Sequence, residues 1–343
     1  MTIRLAMVGL GYWGPNLARN FAATKGAELA VLCDSDPQRL ARLSKTYRDA
    51  RLVESYDAVL ADSAVDAVVL ATPVITHFEM AAAALNAGKH VFVEKPLAAS
   101  AAECERLIEI AVARDLRLMV GHVFLFSSAV QRVKQYIDSG ELGEIYYVYS
   151  QRLNLGVVRS DVNAMWNFAP HDISILCHWL NGEPEEITAR GFSYLQPSIE
   201  DVVFMSMAFQ GGIGANVHIS WLDPHKVRRM TVVGSEKMVV YDDVSNEAKL
   251  MLFDRGVTKK RQDDAYASLG PFRDYGEFQL LLRAGDVLIP KLDSREPLAA
   301  ECQHFVECIE TGAQPLTDGP AGLRVVRALE KAQLSLSRAG RVS

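Results

Sequence analysis

Several short stretches of this chain set residue types at spacings that could do chemistry. The first, GLGYWG, places Gly9, Gly11 and Gly14 after a β-branched apolar run and before an amphipathic one. In that setting Gly9 permits a tight turn and Gly11 lets the backbone approach a pyrophosphate. Gly14 allows close contact between helix and strand. The helix that follows would offer free N–H groups and partial positive charge to the anion, with Tyr12 and Trp13 in the same loop. Asp34 ends the next apolar run, at the spacing of about 20 residues where a carboxylate meets a ribose 2′-hydroxyl. A carboxylate there favours NAD and repels the 2′-phosphate of NADP, which leaves NADP the lesser cofactor. Arg39, at helical spacing from Asp36, reads as a surface residue.

The second group lies at predicted strand ends, where ligands bind in an open parallel sheet. ATPVITH supplies Thr72, Pro73 and His77; VEKP supplies Glu94 and Lys95; GH supplies His122. A lysine after the apolar run HVFVE is costly to bury unless paired or functional, and Pro96 restrains it to extended backbone. His122 either lines the same edge or packs in the core. The third group is MWNFAPHDISIL, residues 165 to 176, where Asn167 and His171 sit four apart across Pro170. It reads either as the start of a buried helix, with Pro170 at its first position, or as the seat of an acid/base. A helix N-terminus would disfavour a charged imidazole at His171, while Asp172 beside it opposes that effect. Trp166 is a pocket wall or a core aromatic. Arg152, Asn154 and Arg159 could meet a hydroxyl-rich or anionic ligand, or lie on the surface.

The elements that must position these groups differ between the two parts of the chain. Residues 3 to 122 alternate strands (3–9, 27–34, 66–72, 90–95, 117–122) with helices (14–24, 36–47, 77–88, 100–115). That alternation predicts an α/β fold, a doubly wound parallel sheet covered on both faces. A helix at 129–140 then leads to a long strand at 145–153. Further runs joined by short turns, among them QGGIG and GSEK, predict a large, open, mostly antiparallel sheet. Two helices close the chain. The boundary is set at residue 122, with a dinucleotide-binding domain at 1–122 and a substrate-binding and oligomerisation domain at 123–343.

Taken together, the three glycines, Asp34, ATP…H, EKP and the segment ending in His171 resemble the glucose–fructose oxidoreductase/inositol dehydrogenase (Gfo/Idh/MocA) family. The resemblance also takes in GELGEI and HFVECIETGAQP. It implies a Rossmann domain, an α/β domain whose open sheet builds dimers or tetramers, and NAD(P)-dependent oxidation or reduction of a sugar, cyclitol or nucleotide-sugar hydroxyl. It implies that Lys95 touches substrate and nicotinamide ribose and that His171 transfers the proton. Many relatives carry an aspartate where this chain has Asn167, and an amide cannot take the proton. Two other activities fit the same residues: an NAD-dependent glycosidase working by transient oxidation, and a non-catalytic NAD-binding sensor.

Composition narrows the setting. Over 343 residues the formal net charge is −6, which gives no global attraction to nucleic acid or anionic membrane. The basic clusters KVRR (226–229) and KKR (259–261) read as solvated faces or ligand contacts. Five cysteines lie scattered without metal-type spacing, Cys33 and Cys177 within apolar runs, so a reducing compartment and no metal site are expected. Neither a signal peptide nor a membrane-length apolar run is read, and the expected location is the cytoplasm.

Overall fold

The computed structural model describes residues 2–257 and 282–338; the KKR cluster at 259–261 lies outside them. The chain divides into two compact units. One comprises Met1–Ser127, Ile173–Ile175 and Ser294–Glu330, the other Ser128–Asp172, Leu176–Asp293 and Lys331–Ser343.

In the first unit six strands form one parallel sheet: β1 (Ile3–Val8), β2 (Ala27–Cys33), β3 (Arg51–Val53), β4 (Ala67–Leu70), β5 (His90–Glu94) and β6 (Leu118–Gly121). Their order is β3-β2-β1-β4-β5-β6, so the winding reverses between β1 and β4 and opens a crevice at their carboxyl ends. The helices between them are α1 (Gly14–Ala23), α2 (Pro37–Ser44), α3 (Tyr56–Leu60), α4 (His77–Asn86) and α5 (Ala101–Ala113). Because helices cover both faces, strands such as β4 are buried along their whole length. A capping box of Ser100 and Glu103 starts α5. Periodicity does not reveal β3 and α3, since a three-residue strand and a five-residue helix carry too few residues for a period to show.

The same unit takes in residues assigned from sequence to the second domain. Helix α8 (Pro297–Thr311) turns Leu298, Cys302, Phe305 and Val306 into the core on the α1 side of the sheet. Phe305 meets Phe21 and Phe92 edge-on, with ring centroids 6.2 and 5.7 Å apart. Beyond the boundary read at residue 122 the chain returns to this unit, and the apolar stripe of α8 completes the first core.

The second unit carries eight strands: β7 (Ile145–Leu153), β8 (Glu186–Phe192), β9 (Val202–Phe209), β10 (Ile213–Ser220), β11 (Val227–Gly234), β12 (Met238–Asp242), β13 (Leu250–Val257) and β14 (Leu282–Leu288). They run in the order β14-β13-β12-β11-β7-β10-β9-β8, antiparallel except where β10 lies parallel to β7. Hairpins form at QGGIG and GSEK, as their turn residues require. Alternation gives the sheet two faces: Val148, Ser150 and Arg152 of β7 are buried, while Tyr147 and Tyr149 are exposed. Helices α6 (Ser128–Asp138), α7 (Ala164–Trp179) and the end of α9 (Gly319–Arg338) belong to this unit in whole or part.

Helix α7 corrects one expectation. It starts at Ala164, where the Asn163 side chain accepts the Trp166 N–H at 3.0 Å, and Pro170 lies inside it rather than opening it. Proline cannot donate to the Trp166 carbonyl, and the helix tolerates that one missing bond. His171 is thus well past the first turn, where the N-terminal dipole no longer acts.

Candidate active site

The nucleotide loop is built by backbone constraints. Gly9 has φ +89°, and a Cβ there would lie 2.6 Å from the Ala71 carbonyl oxygen. A Cβ at Gly14 would lie 2.1 Å from the Gly9 carbonyl oxygen, so no other residue fits. A Cβ at Gly11 would meet nothing nearer than Arg39 Nη1, at 3.9 Å, which leaves room for a ligand against the backbone. Trp13 occupies the cap position of α1 without a side-chain capping bond, and the first turn holds no acidic residue. Tyr12 is 95% exposed beside it. An uncapped helix N-terminus behind an open glycine fits a pyrophosphate.

Asp34 is buried and ties this loop to the end of β2. Its Oδ2 accepts the Leu10 N–H at 2.6 Å and its Oδ1 the Asp36 N–H at 2.9 Å. Arg39 Nη1 reaches Oδ2 at 3.4 Å, and its Nε lies 3.4 Å from Asp36. A carboxylate offers about four acceptor positions, so one more hydroxyl can be received. Arg39 is exposed, as a surface residue should be, and beyond that reading it pairs with Asp34 and leans over Gly11. Its signal was present, a basic residue in the first turn after the acid that ends the second strand.

At the carboxyl ends of β4, β5 and β6 the remaining polar groups of this unit gather. His77 is buried, with Nδ1 2.8 Å from the Pro96 carbonyl and Nε2 2.9 Å from the Thr72 carbonyl. Both ring nitrogens are therefore engaged by backbone, and burial holds the imidazole below its ordinary pKa. His77 fixes the turn that carries Lys95 and Pro96, which a cis peptide joins. Thr72, just before Pro73, accepts on its Oγ1 from the Thr76 hydroxyl at 2.9 Å. The Glu94 carboxylate turns back to accept the Lys95 N–H at 3.3 Å and a bond from the Trp13 side chain. Burial pushes its pKa up to about 7, against the pull of Lys95. His122 is buried, and neither ring nitrogen has a hydrogen-bond partner among the described residues. Burial, then the Lys95 charge, lowers it to about 3, so it is neutral at physiological pH.

In the second unit Asn167 and His171 stand one turn apart on the same side of α7, both half-buried. The next residue, Asp172, is buried and faces β7. Its Oδ1 accepts from Ser150 Oγ at 2.6 Å and its Oδ2 from Arg152 Nε at 2.5 Å. Arg152, a candidate substrate contact, is thereby part of a buried ion pair that fixes α7 to the sheet. Trp166 donates its indole N–H to Gln333 of α9 at 3.1 Å. Arg159 is exposed and pairs with Asp161 in the preceding loop.

Comparison with known proteins agrees with this arrangement. Residues 3–122 match the model for the oxidoreductase family with an NAD-binding Rossmann fold, and residues 130–240 match the GFO/IDH/MocA C-terminal domain. UDP-N-acetylglucosamine 3-dehydrogenase of Acidithiobacillus ferrooxidans is 29% identical over 95% of each chain. A crystal form of that enzyme superposes with a TM-score of 0.82 over 98% of each chain, at 27% identity. Inositol 2-dehydrogenase of Salmonella typhimurium is 31% identical over 64% of this chain and 67% of its own. With the glycine cradle, the strand order and both domain models in agreement, the chain belongs to the Gfo/Idh/MocA family of NAD-binding oxidoreductases.

Proposed function

We propose that this protein is a dehydrogenase/reductase that moves a hydride between NAD and a secondary hydroxyl or keto carbon of a sugar, cyclitol or nucleotide-sugar. The observation that carries the cofactor reading is the uncapped start of α1 behind Gly11, with Asp34 fixed beside it. The substrate class rests on the similarity to the UDP-N-acetylglucosamine and inositol dehydrogenases. Bound NAD would supply the hydride acceptor. The chain's own groups would hold and orient: loop amides on the pyrophosphate, Asp34 on the ribose hydroxyl, Thr72, Pro73 and Glu94 around the nicotinamide side. In this proposal Lys95 stabilises the developing alkoxide and His171 takes the hydroxyl proton. Asn167, able both to donate and to accept, reads a substrate hydroxyl, and Arg159 meets any anionic group. Arg152 serves by holding Asp172 and so the helix that bears His171.

The test is a panel of UDP-N-acetylglucosamine, other nucleotide-sugars, inositols, aldoses and uronates with NAD and NADP, followed by nicotinamide absorbance. Turnover with NAD that His171→Ala lowers by about 10²-fold or more supports the assignment. Glycoside cleavage with no net absorbance change would replace it with the glycosidase, and NAD binding without any turnover would replace it with the sensor. We place the enzyme in the cytoplasm as a homodimer or homotetramer. Five buried cysteines, none in a disulfide, suit a reducing compartment, and the open sheet face suits a second copy. No described helix is long and apolar enough to cross a membrane.

A further inference from the structure

Behind Lys95, on the α8 side of the first sheet, lies a carboxyl that the proposed chemistry does not use. Glu301 of α8 is fully buried, and neither of its oxygens has a hydrogen-bond partner among the described residues. Its neighbour can be found from the packing. The far end of α8 lies at the amino ends of the strands, since a Cβ on Gly26, just ahead of β2, would touch Glu310 and Val306. Helix α8 therefore runs antiparallel to β5. Phe305 meets Phe92 with ring centroids 5.7 Å apart. One turn back along α8, about 6 Å, brings Glu301; two residues on along β5, about 6.6 Å, bring Glu94 on the same face as Phe92. Both steps lead towards the carboxyl ends of the strands, so the two acids arrive together. Glu94 itself lies flat on Gly121, where a Cβ would stand 3.0 Å from its Oε1.

We infer that Glu94 and Glu301 form a carboxyl pair that keeps one proton between them, and that Glu301 is a positioning residue for the nucleotide loop and the Lys95 turn. Glu301, sealed in the core, holds the proton. Glu94 is left as the carboxylate that accepts from Trp13 of the glycine loop and from the Lys95 N–H. Two buried carboxylates do not both ionise at close range. Consistently, burial and the charge of Glu94 raise the Glu301 pKa well above that of an ordinary carboxyl. The other titratable or charged groups around the pair are Lys95 and His122 at the strand ends, Cys302 on α8, and the Arg19–Glu296 bridge joining α1 to α8. Lys95 is the cation among those nearest Glu94, which favours Glu94 as the charged member.

The inference rests on the glycine loop being the NAD site, and its test separates the two. Infrared spectra of the full chain at about pH 9, above the range in which Glu94 titrates, should contain a band from a protonated carboxyl in apolar surroundings, absent in Glu301→Gln. Fluorescence titration with NADH should give a dissociation constant for Glu301→Gln within about twofold of wild type, because the amide mimics the neutral acid. Glu301→Leu, which removes the polar neighbour of Glu94, should weaken NADH about tenfold or more. Should the leucine variant not fold, Gly121→Ala, which displaces the Glu94 carboxylate, must weaken NADH comparably. Absence of the band, or equal losses for glutamine and leucine, or no loss for either, would overturn the pair. Should the wild type fail to bind NADH, the NAD reading falls, while the infrared band still decides which acid keeps the proton.

Discussion

At the scale of single residues, Asp34 has two duties that the sequence suggests only in part. Its spacing from the glycines matches the ribose-binding role proposed for it, and the carboxylate also receives the Leu10 and Asp36 N–H groups. Asp34→Ala would leave those donors without an acceptor, at about 1–3 kcal/mol for each one left buried. Titration should show NADH binding weakened at least tenfold, with a lowered unfolding midpoint in the same variant. Arg39 was legible as a charge but not as a partner, because a one-dimensional spacing does not say that the start of α2 folds back over Gly11. His122 gives a pH prediction with a definite sign. Its pKa falls from the ordinary 6.5 to about 3 on folding, so the unfolded chain takes up the proton first. Its contribution to stability is present above about pH 6.5 and is lost as the pH drops towards 3, by up to about 1.4 kcal/mol per pH unit. Urea unfolding between pH 4 and 7 should show a shallower slope for His122→Phe; an unchanged slope would exclude His122 as the source.

At the scale of elements, all strands of the first sheet but the three-residue β3 could be read to within about two residues, because continuous β-branched runs between helical periods admit few alternatives. Helix α7 was harder. A proline signals a helix start in most settings, yet the Asn163 cap and the packing of Ala164, Met165 and Ala169 carry the helix through Pro170. A start at Pro170 would put His171 at a helix end rather than in a helix middle, and it hides what Asp172 does. That residue does not tune its neighbour from solvent; it is buried, with its charge spent on Arg152 and Ser150 of β7. Breaking such a pair from one side takes the buried carboxylate away from the Arg152 guanidinium, and Asp172→Leu should cost about 3–5 kcal/mol in chemical denaturation. Replacing both partners, with Arg152→Met added, should recover most of that loss. If the double variant is no more stable than the single one, the pair is not what fixes α7 to its sheet.

At the scale of the molecule, one surface has no counterpart in the proposed chemistry: the outer face of the eight-stranded sheet. Tyr147 and Tyr149 stack along β7, and Phe204 of β9 stacks on His218 of β10 with ring centroids 4.3 Å apart. Tyr147 is 46% exposed and Phe204 42%, on a face where solvated strands ordinarily carry short polar and charged side chains. Aromatic residues are enriched in the cores of protein interfaces, and a stable interface needs about 800 Å² from each partner, an area within reach of a sheet this broad. Alternation along each strand made the two faces legible in the sequence, but not which strands would lie side by side. The parallel neighbours β7 and β10 are separated by α7, β8 and β9, and no local pattern announces that crossover. Light scattering on the wild type should therefore give a dimer or tetramer at micromolar concentration. Tyr149→Lys combined with Phe204→Glu should give a monomer. Because the glycine cradle is built within the first unit alone, that monomer should bind NADH with unchanged affinity. A monomeric wild type would remove this face as an interface, and a double variant that loses both assembly and NADH binding would show that the substitutions act by unfolding the chain.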